Sequence, residues 1–158
     1  MSFKKTITAV VAFAVTAAIF CVIASCGTKG KLTVYNSETG KIYATFPVTE
    51  GSEFAVEFIH SVNKSPIKDV FVVRDEKIYL DRSIYTAFGA GVQTEVEAGQ
   101  TLKYDEDGNM VISGYNMHFP VLKYIVGTVY DHILYIEGES ISLTELCGRN
   151  SHIAFELK

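Results

Sequence analysis

The sequence contains no tryptophan, only three cysteines and no long basic run. Its 14 Lys and Arg residues face 18 Asp and Glu, so the net charge is −4. Basic residues are not interleaved with aromatic ones, and we therefore expect no nucleic-acid partner. No intrachain disulfide is expected either. Cys21 lies in the apolar N-terminal segment, Cys26 has a different predicted role, and Cys147 is left without a partner.

Patterns that carry catalysis or metal binding are also missing. There is no Gly-x-Ser-x-Gly elbow, and His60 and Ser61 cannot pair, because neighbours on one strand point to opposite faces. "DEDGN" at 105–109 lacks the later ligands of a calcium loop. No His-x-His or Glu-x-x-His cluster joins the four histidines, which are His60, His118, His132 and His152. We therefore predict no catalytic residue, metal site or cofactor.

The N-terminus has the features of an export signal. Lys4 and Lys5 precede an almost unbroken apolar run from Thr6 to Ala24. The next residues complete Ile23-Ala24-Ser25-Cys26, which resembles the bacterial lipobox. That resemblance implies cleavage before Cys26 and acylation of its thiol, so we expect residues 1–25 to be a lipoprotein signal peptide.

An uncleaved membrane anchor is the competing interpretation of the same segment. The apolar run approaches the roughly 20 residues that span a bilayer. In both cases the two lysines remain inside and the rest is exported, which predicts an extracytoplasmic protein held at the cell membrane or outer membrane. Residues 26–31 then form a tether, and residues 32–158 are long enough for a single domain.

From Leu32 onward, short apolar runs alternate with turn signals, and long helical periodicity is absent. Connections this short leave no room for crossover helices, so the sheets should be mostly antiparallel. We expect an all-β domain of about nine strands, either a sandwich or a partly closed barrel. The segment from Ser142 to Cys147 fits either a short helix or a strand. Asp107-Gly108 suits a type I′ hairpin turn.

The stretch "EFAVEFIHSV" predicts a strand that continues through His60. Alternation places His60 and Val62 on the apolar face with Phe54, and Ser61 on the opposite face. A histidine in this position is either a core residue whose ring nitrogens bond to backbone carbonyls or a ligand-contacting or proton-transferring residue. His132 shares the parity of Leu134 and Ile136, so it too is expected to face the interior.

Gly89-Ala90-Gly91 forms the second informative stretch. Its glycines allow positive φ and close approach to another backbone or a ligand. No following helix or βαβ unit supports a dinucleotide site. A bulge or strand crossover and a loop lining a binding cleft are the two interpretations.

Together these segments resemble one known family. "FIHSVNKSPIKDVFVV", "YLDRSIYTAFGAG" and "ISLTEL" are similar to the family called domain of unknown function 1850. Its pattern falls on His60-Ser61-Val62, Ser65-Pro66-Ile67, Asp69, Tyr85, Gly89-Ala90-Gly91 and Leu143 to Leu146. Ser65 replaces a threonine, Asp69 the commoner glutamate, and Gln93 a frequent proline.

The resemblance implies no reaction. It implies an association with TRAP-type transporters of the TAXI class. The expected partner of this chain would then be the permease or the solute-binding protein of such a transporter. We expect a non-enzymatic accessory or binding lipoprotein whose candidate contact residues are His60, Ser61, Pro66, Asp69, Tyr85, Gly89 and Gly91. The alternatives are a stand-alone small-molecule-binding barrel with His60 and His132 on its pocket floor, and an enzyme of unknown class.

Overall fold

The computed structural model describes residues 30–87 and 95–158. These residues form twelve strands and one short helix. In chain order the elements are β1 (Gly30–Asn36), β2 (Ile42–Val48), β3 (Glu53–Ile59), β4 (Pro66–Arg74), β5 (Lys77–Tyr85), β6 (Thr101–Tyr104), β7 (Met110–Ser113), β8 (His118–Phe119), β9 (Leu122–Ile125), β10 (His132–Ile136), β11 (Glu139–Ser142), α1 (Leu143–Cys147) and β12 (His152–Leu157).

The strands form two antiparallel sheets that pack as a sandwich. Sheet A has the order β2-β1-β12-β9, and sheet B has the order β11-β10-β3-β4-β5-β7-β6, with β8 paired to β5. The prediction of an all-β antiparallel fold is confirmed, and of its two alternatives the sandwich is the observed one. The structure has more strands than the expected nine, because short strands such as β8 contain too few residues to show an alternation of apolar and polar side chains. β8 is only two residues long.

The core lies between the two sheets. Alternate residues of sheet B, such as Phe54, Val56 and Phe71, meet the buried side chains of Leu32 and Phe155 from sheet A. The rings of Phe54 and Phe155 stack across the interface with centroids 5.8 Å apart. Burial of this apolar surface is the main stabilising term, and its period of two is the pattern that identified the strands.

Strand β3 ends at Ile59, earlier than predicted. Residues 61–63 are in a turn, and Val62 is 64% exposed, so the expectation that Val62 continues the apolar face was wrong. The pairing of Ile59 with Pro66 explains the early end. Pro66 starts β4 directly opposite, which leaves residues 60–65 to close the connection.

Residues 142–147 were compatible with a short helix or a strand, and the structure shows the helix α1 at Leu143–Cys147. Ser142 is its N-cap, and the Ser142 hydroxyl accepts a hydrogen bond from the Glu145 amide at 3.0 Å. No helix in the ranges 30–87 and 95–158 is long and apolar enough to cross a membrane.

Candidate functional site

The described motif residues lie together at one end of the sandwich. Pro66 begins β4, Tyr85 ends β5, and Ile67 pairs with Tyr85 across these two strands. The amide of His60 donates to the carbonyl of Ser65 at 2.9 Å, which closes the turn beside them. We call this region, formed by turn 60–65, the start of β4 and the end of β5, the motif end. Gly89 and Gly91 lie outside the described residues.

Asp69 is the motif residue with the most unusual position. In the strand register it lies between Val56 of β3 and Ser83 of β5, on the face of sheet B that packs against sheet A. A carboxyl group therefore occupies an inward position in an otherwise apolar layer. Such a group is costly to bury unless its oxygens accept hydrogen bonds.

Both carboxyl oxygens of Asp69 have a partner. The hydroxyl of Ser83 donates to Oδ1 at 2.6 Å, and the hydroxyl of Tyr124 donates to Oδ2 at 3.4 Å. Burial raises the pKa of Asp69, while the two hydrogen bonds act in the opposite direction. Because Tyr124 belongs to β9 of sheet A, this carboxyl links the two sheets as well as two neighbouring strands.

Two tyrosines around this carboxyl keep their protons. Burial raises the pKa of Tyr124 well above its ordinary value, and the nearby charge of Asp69 adds to the effect. Burial likewise raises the pKa of Tyr115 to about 12. Tyr115 and Tyr85 pack against a small cluster formed by Met110 and Ile112. At neutral pH the phenols therefore serve as hydrogen-bond donors and not as bases.

His132 extends the group on the other side of Tyr124. Its ring stacks on Phe58 at a centroid distance of 5.5 Å and meets Tyr124 edge-on at 6.2 Å. Nδ1 of His132 accepts the amide hydrogen of Gly127 at 3.2 Å. Burial lowers the pKa of His132, against the opposing charge of Asp131. His132 faces the interior, as its parity predicted, and is held there in the neutral form.

His60 caps its own turn and does not join Asp69. Its Nδ1 accepts the amides of Val62 and Asn63 at 3.4 and 3.5 Å, and its carbonyl accepts the amide of Lys64 at 3.0 Å. Ser61 is exposed beside it. The ring of His60 thus contacts the backbone, but it accepts from amides in a turn, and the predicted bonds to carbonyls in the core are not the ones observed.

The same turn contains polar atoms without a partner. Asn63 Nδ2 and Ser65 Oγ are buried and form no hydrogen bond, although Asn63 Oδ1 accepts the Ser65 amide at 3.3 Å. An unsatisfied buried polar group costs about 1–3 kcal/mol. Turn 60–65 is therefore held in its shape by the strands that flank it.

The polar groups around Asp69 are engaged with one another. Ser83 is only 3% exposed, and its hydroxyl already donates to a carboxyl group, so it does not reach a substrate in this structure. In residues 30–87 and 95–158, no group of three or more His, Cys, Asp or Glu side chains could hold a metal ion.

Two surface pockets differ in their relation to the motif end: the first lies away from it, and the second reaches it through Lys68 and Ile84. One, of about 320 Å³, is at the opposite end, and its lining includes Gly30, Glu76 and Lys158. The other is an open groove of about 500 Å³ on the outer face of sheet B, and Arg82 and Tyr135 line it. Neither is lined by His60 or His132.

Ser83, Tyr124 and Tyr115 were not singled out by the sequence. Their one available signal was Asp69 itself, an acidic residue within the apolar run "DVFVV". That signal marks a polar position in the core but does not say which hydroxyls face it. The partners depend on the β4–β5 register and on the way sheet A lies over sheet B.

A family model for a domain of unknown function (DUF1850) matches residues 54–143, which is more than half of the chain. The protein belongs to the DUF1850 family. Comparison with curated proteins gave no match, and comparison with solved structures gave none either.

The DUF1850 match coincides with a structural unit. It begins within β3 and ends at Leu143, the first residue of α1, so it contains nearly all of sheet B together with β9. His60, Asp69 and Tyr85 lie inside this range, as does Tyr124. Strands β1, β2 and β12, which complete sheet A, lie outside it.

Proposed function

We propose that this DUF1850 protein is an exported, membrane-anchored lipoprotein that acts as a non-enzymatic binding protein, accessory to a TAXI-type TRAP solute uptake system. Its anchor is an acylated Cys26, and its binding surface is the motif end. The observation that carries the proposal is that Gly30, four residues after Cys26 in the sequence, and the motif end lie at opposite ends of the sandwich.

The length of strand β4 gives the distance between the motif end and the Gly30 end. The strand begins with Pro66 at the motif end, and Val73, near its other terminus, lines the same pocket as Gly30. Nine residues of strand at about 3.3 Å each give a length of roughly 30 Å. The four residues from Cys26 to Lys29 reach at most about 14 Å. A lipid on Cys26 therefore keeps the Gly30 end at the bilayer and turns the motif end outward.

The inter-sheet contacts support binding in preference to catalysis. Asp69, Ser83 and Tyr124 bond to one another, and His132 is packed between aromatic rings. Groups used in this way hold a surface in a fixed shape, which lowers the entropic cost of recognition. The TRAP part of the proposal comes from the genomic association that the family resemblance implies.

Membrane fractionation with Cys26→Ala tests the anchor. We expect the wild-type protein in the membrane fraction with incorporated fatty acid. The variant should lose the fatty acid and keep an unprocessed N-terminus, because the modified thiol is missing. Cys21→Ala is the matched control, since it changes a cysteine of the same segment outside the lipobox, and should behave as wild type.

If the wild type and Cys26→Ala both kept the full N-terminal segment without fatty acid and differed in mass only by the substitution, the uncleaved anchor would replace the lipoprotein in this proposal. That result would leave the export topology unchanged, because Lys4 and Lys5 precede the apolar run in both cases.

A further inference from the structure

Three exposed apolar side chains lie in two neighbouring loops at the motif end. Val62 is 64% exposed, Val129 is 73% exposed, and Tyr130 is 43% exposed. The ammonium group of Lys64 lies 5.7 Å from the centroid of the Tyr130 ring, which places turn 60–65 against the loop 127–130. We call Val62, Val129 and Tyr130 the tip patch.

The turns at the Gly30 end, which are 49–52, 75–76 and 137–138, carry no exposed large apolar side chain. Met117, bonded through its carbonyl to the amide of Leu80, is a single exposed apolar residue on that side of sheet B. Glu50, Glu76 and Lys158 line the pocket at that end. Monomeric proteins rarely expose grouped apolar side chains unless the surface meets a partner.

The tip patch is held in place by contacts behind it. The guanidinium of Arg149 donates to the carbonyls of Thr128 and Val129 at 2.9 and 3.1 Å. Gly127 donates its amide to His132, and a side chain at Gly127 would collide with the Tyr130 carbonyl, 2.1 Å from the position of a Cβ. A preordered loop loses little entropy on binding.

The charges beside the tip patch indicate the partner's chemistry. Lys64 lies in the turn that carries Val62, and Arg149 braces the loop that carries Val129. Neither forms an ion pair with a carboxylate in the described part of the chain. The carboxylate of Asp131, which follows Tyr130, already accepts hydrogen bonds from Ser142 and Thr144. In a protein of net charge −4, two cations without a carboxylate partner beside exposed apolar groups therefore favour a surface that supplies carboxylates.

Two other occupants fit less well. A two-fold dimer through the tip patch would bring the Lys64 and Arg149 cations of both copies together, which is repulsive. An anionic lipid surface has suitable chemistry, but the anchor holds the bilayer at the other end, about 30 Å away.

We propose that the tip patch docks a different protein that presents carboxylate side chains beside exposed apolar ones. This inference rests on the proposed binding function and adds the surface and the chemistry of its partner. Val62 and Val129 supply the apolar contact, Tyr130 adds aromatic area, and Lys64 pairs with a carboxylate of the partner.

Site-specific photocrosslinking in intact cells tests this assignment. A benzophenone amino acid replaces Val62 or Val129 in the full-length, membrane-anchored chain, and Lys77 or Glu50 at the Gly30 end in the controls. We expect both tip positions to form an adduct with the same protein, and the control positions to form none. Mass spectrometry should identify a non-identical protein, joined through a segment that contains Asp or Glu.

Charge reversal supplies the second arm of the experiment. Lys64→Glu should lower the adduct yield from position 129 at least about fivefold, because a carboxylate replaces the pairing cation. Met117→Asp, at an exposed apolar residue outside the tip patch, should leave the yield unchanged. Melting temperatures of both variants should match that of the wild type.

The proposal is overturned by adducts only with a second copy or only with lipid. It is also overturned by equal yields from position 77, by no adduct at all, or by insensitivity to Lys64→Glu. Each of these results leaves the Cys26 fractionation result standing, so failure of the tip patch and failure of the anchor are distinguishable.

Discussion

At the scale of single residues, Asp69 shows how a carboxyl group is kept in the core of a β sandwich. Ser83 and Tyr124 approach it from two different sheets, so both oxygens accept a hydrogen bond where water is excluded. Removing one partner of such a group leaves an unsatisfied atom, whereas an isosteric amide can keep the contacts.

Replacement of Asp69 by Asn should change the pH dependence of stability. The pKa of Asp69 is raised in the folded protein, so as pH rises from the unfolded-state value through the folded value, its contribution to the free energy of unfolding declines. Asp69→Asn does not titrate and retains an acceptor for Ser83. We expect the stability of the variant relative to wild type to increase from pH 4 to pH 7 in urea unfolding.

Asp105→Asn is the matched control for this measurement. Hydrogen bonds from Asn109 lower the pKa of Asp105, so its contribution is lost as pH falls and the sign is opposite. A stability difference between Asp69→Asn and wild type that did not vary with pH would contradict the assignment of Asp69 as a desolvated carboxyl.

At the scale of elements, α1 is attached to sheet B through one short polar chain. The Ser142 hydroxyl caps the Glu145 amide and donates to Asp131 Oδ2 at 2.5 Å. Asp131 also accepts the amide of Thr144 at 2.9 Å. Burial would raise the pKa of Asp131, but the hydrogen bonds from Ser142 and Thr144 outweigh it and lower that pKa.

Ser142→Ala should therefore destabilise the protein by about 1–2 kcal/mol, the usual cost of losing an N-cap. Chemical denaturation measures this loss directly. Ser142→Thr keeps the hydroxyl and should recover most of the stability. Ser140→Ala, on the exposed part of β11, should change it by less than about 0.5 kcal/mol. Equal effects from Ser142→Ala and Ser140→Ala would show that the cap is unimportant.

Turns were harder to predict than strands, for physical reasons. Asp75 and Glu76 both have positive φ, so the tight connection predicted from two residues is present. At 105–109 Gly108 has positive φ, but Asp107 does not, and the predicted type I′ turn was wrong. Asp105 caps the amides of Asp107 and Asn109 instead, which favours a longer loop.

The end of β3 was misplaced for a related reason. Alternation continued through His60 and Val62 in the sequence, but Pro66 starts the neighbouring strand and fixes where the pair must separate. Period-two patterns report which face a residue occupies while the strand lasts. They do not report where its partner begins.

At the scale of the whole molecule, the sheets and the core followed from sequence, whereas the site followed only in part. Asp69 and Tyr85 were named from the family pattern and do lie at one end. Tyr124 could not be placed beside Asp69, because the two are 55 residues apart and meet only when sheet A covers sheet B. The proximity of Val62 and Val129 could not be predicted from the sequence either, because it depends on the tertiary fold.

The two ends of the sandwich differ in the role that we propose for them. Cys26 precedes the strand that begins at the Gly30 end, and the DUF1850 motif residues and the tip patch occupy the other end. We propose that the protein presents this second end as a recognition surface away from the membrane, and that the surface serves a TAXI-type TRAP uptake system.

Affinity purification of the full-length protein from detergent-solubilised native membranes tests that claim most directly. An unrelated acylated protein with the same tag serves as the control bait, and recovered proteins are quantified by mass spectrometry. We expect selective enrichment of a TAXI-type permease or its solute-binding protein with this chain. Recovery of both at the level found with the control bait would contradict it.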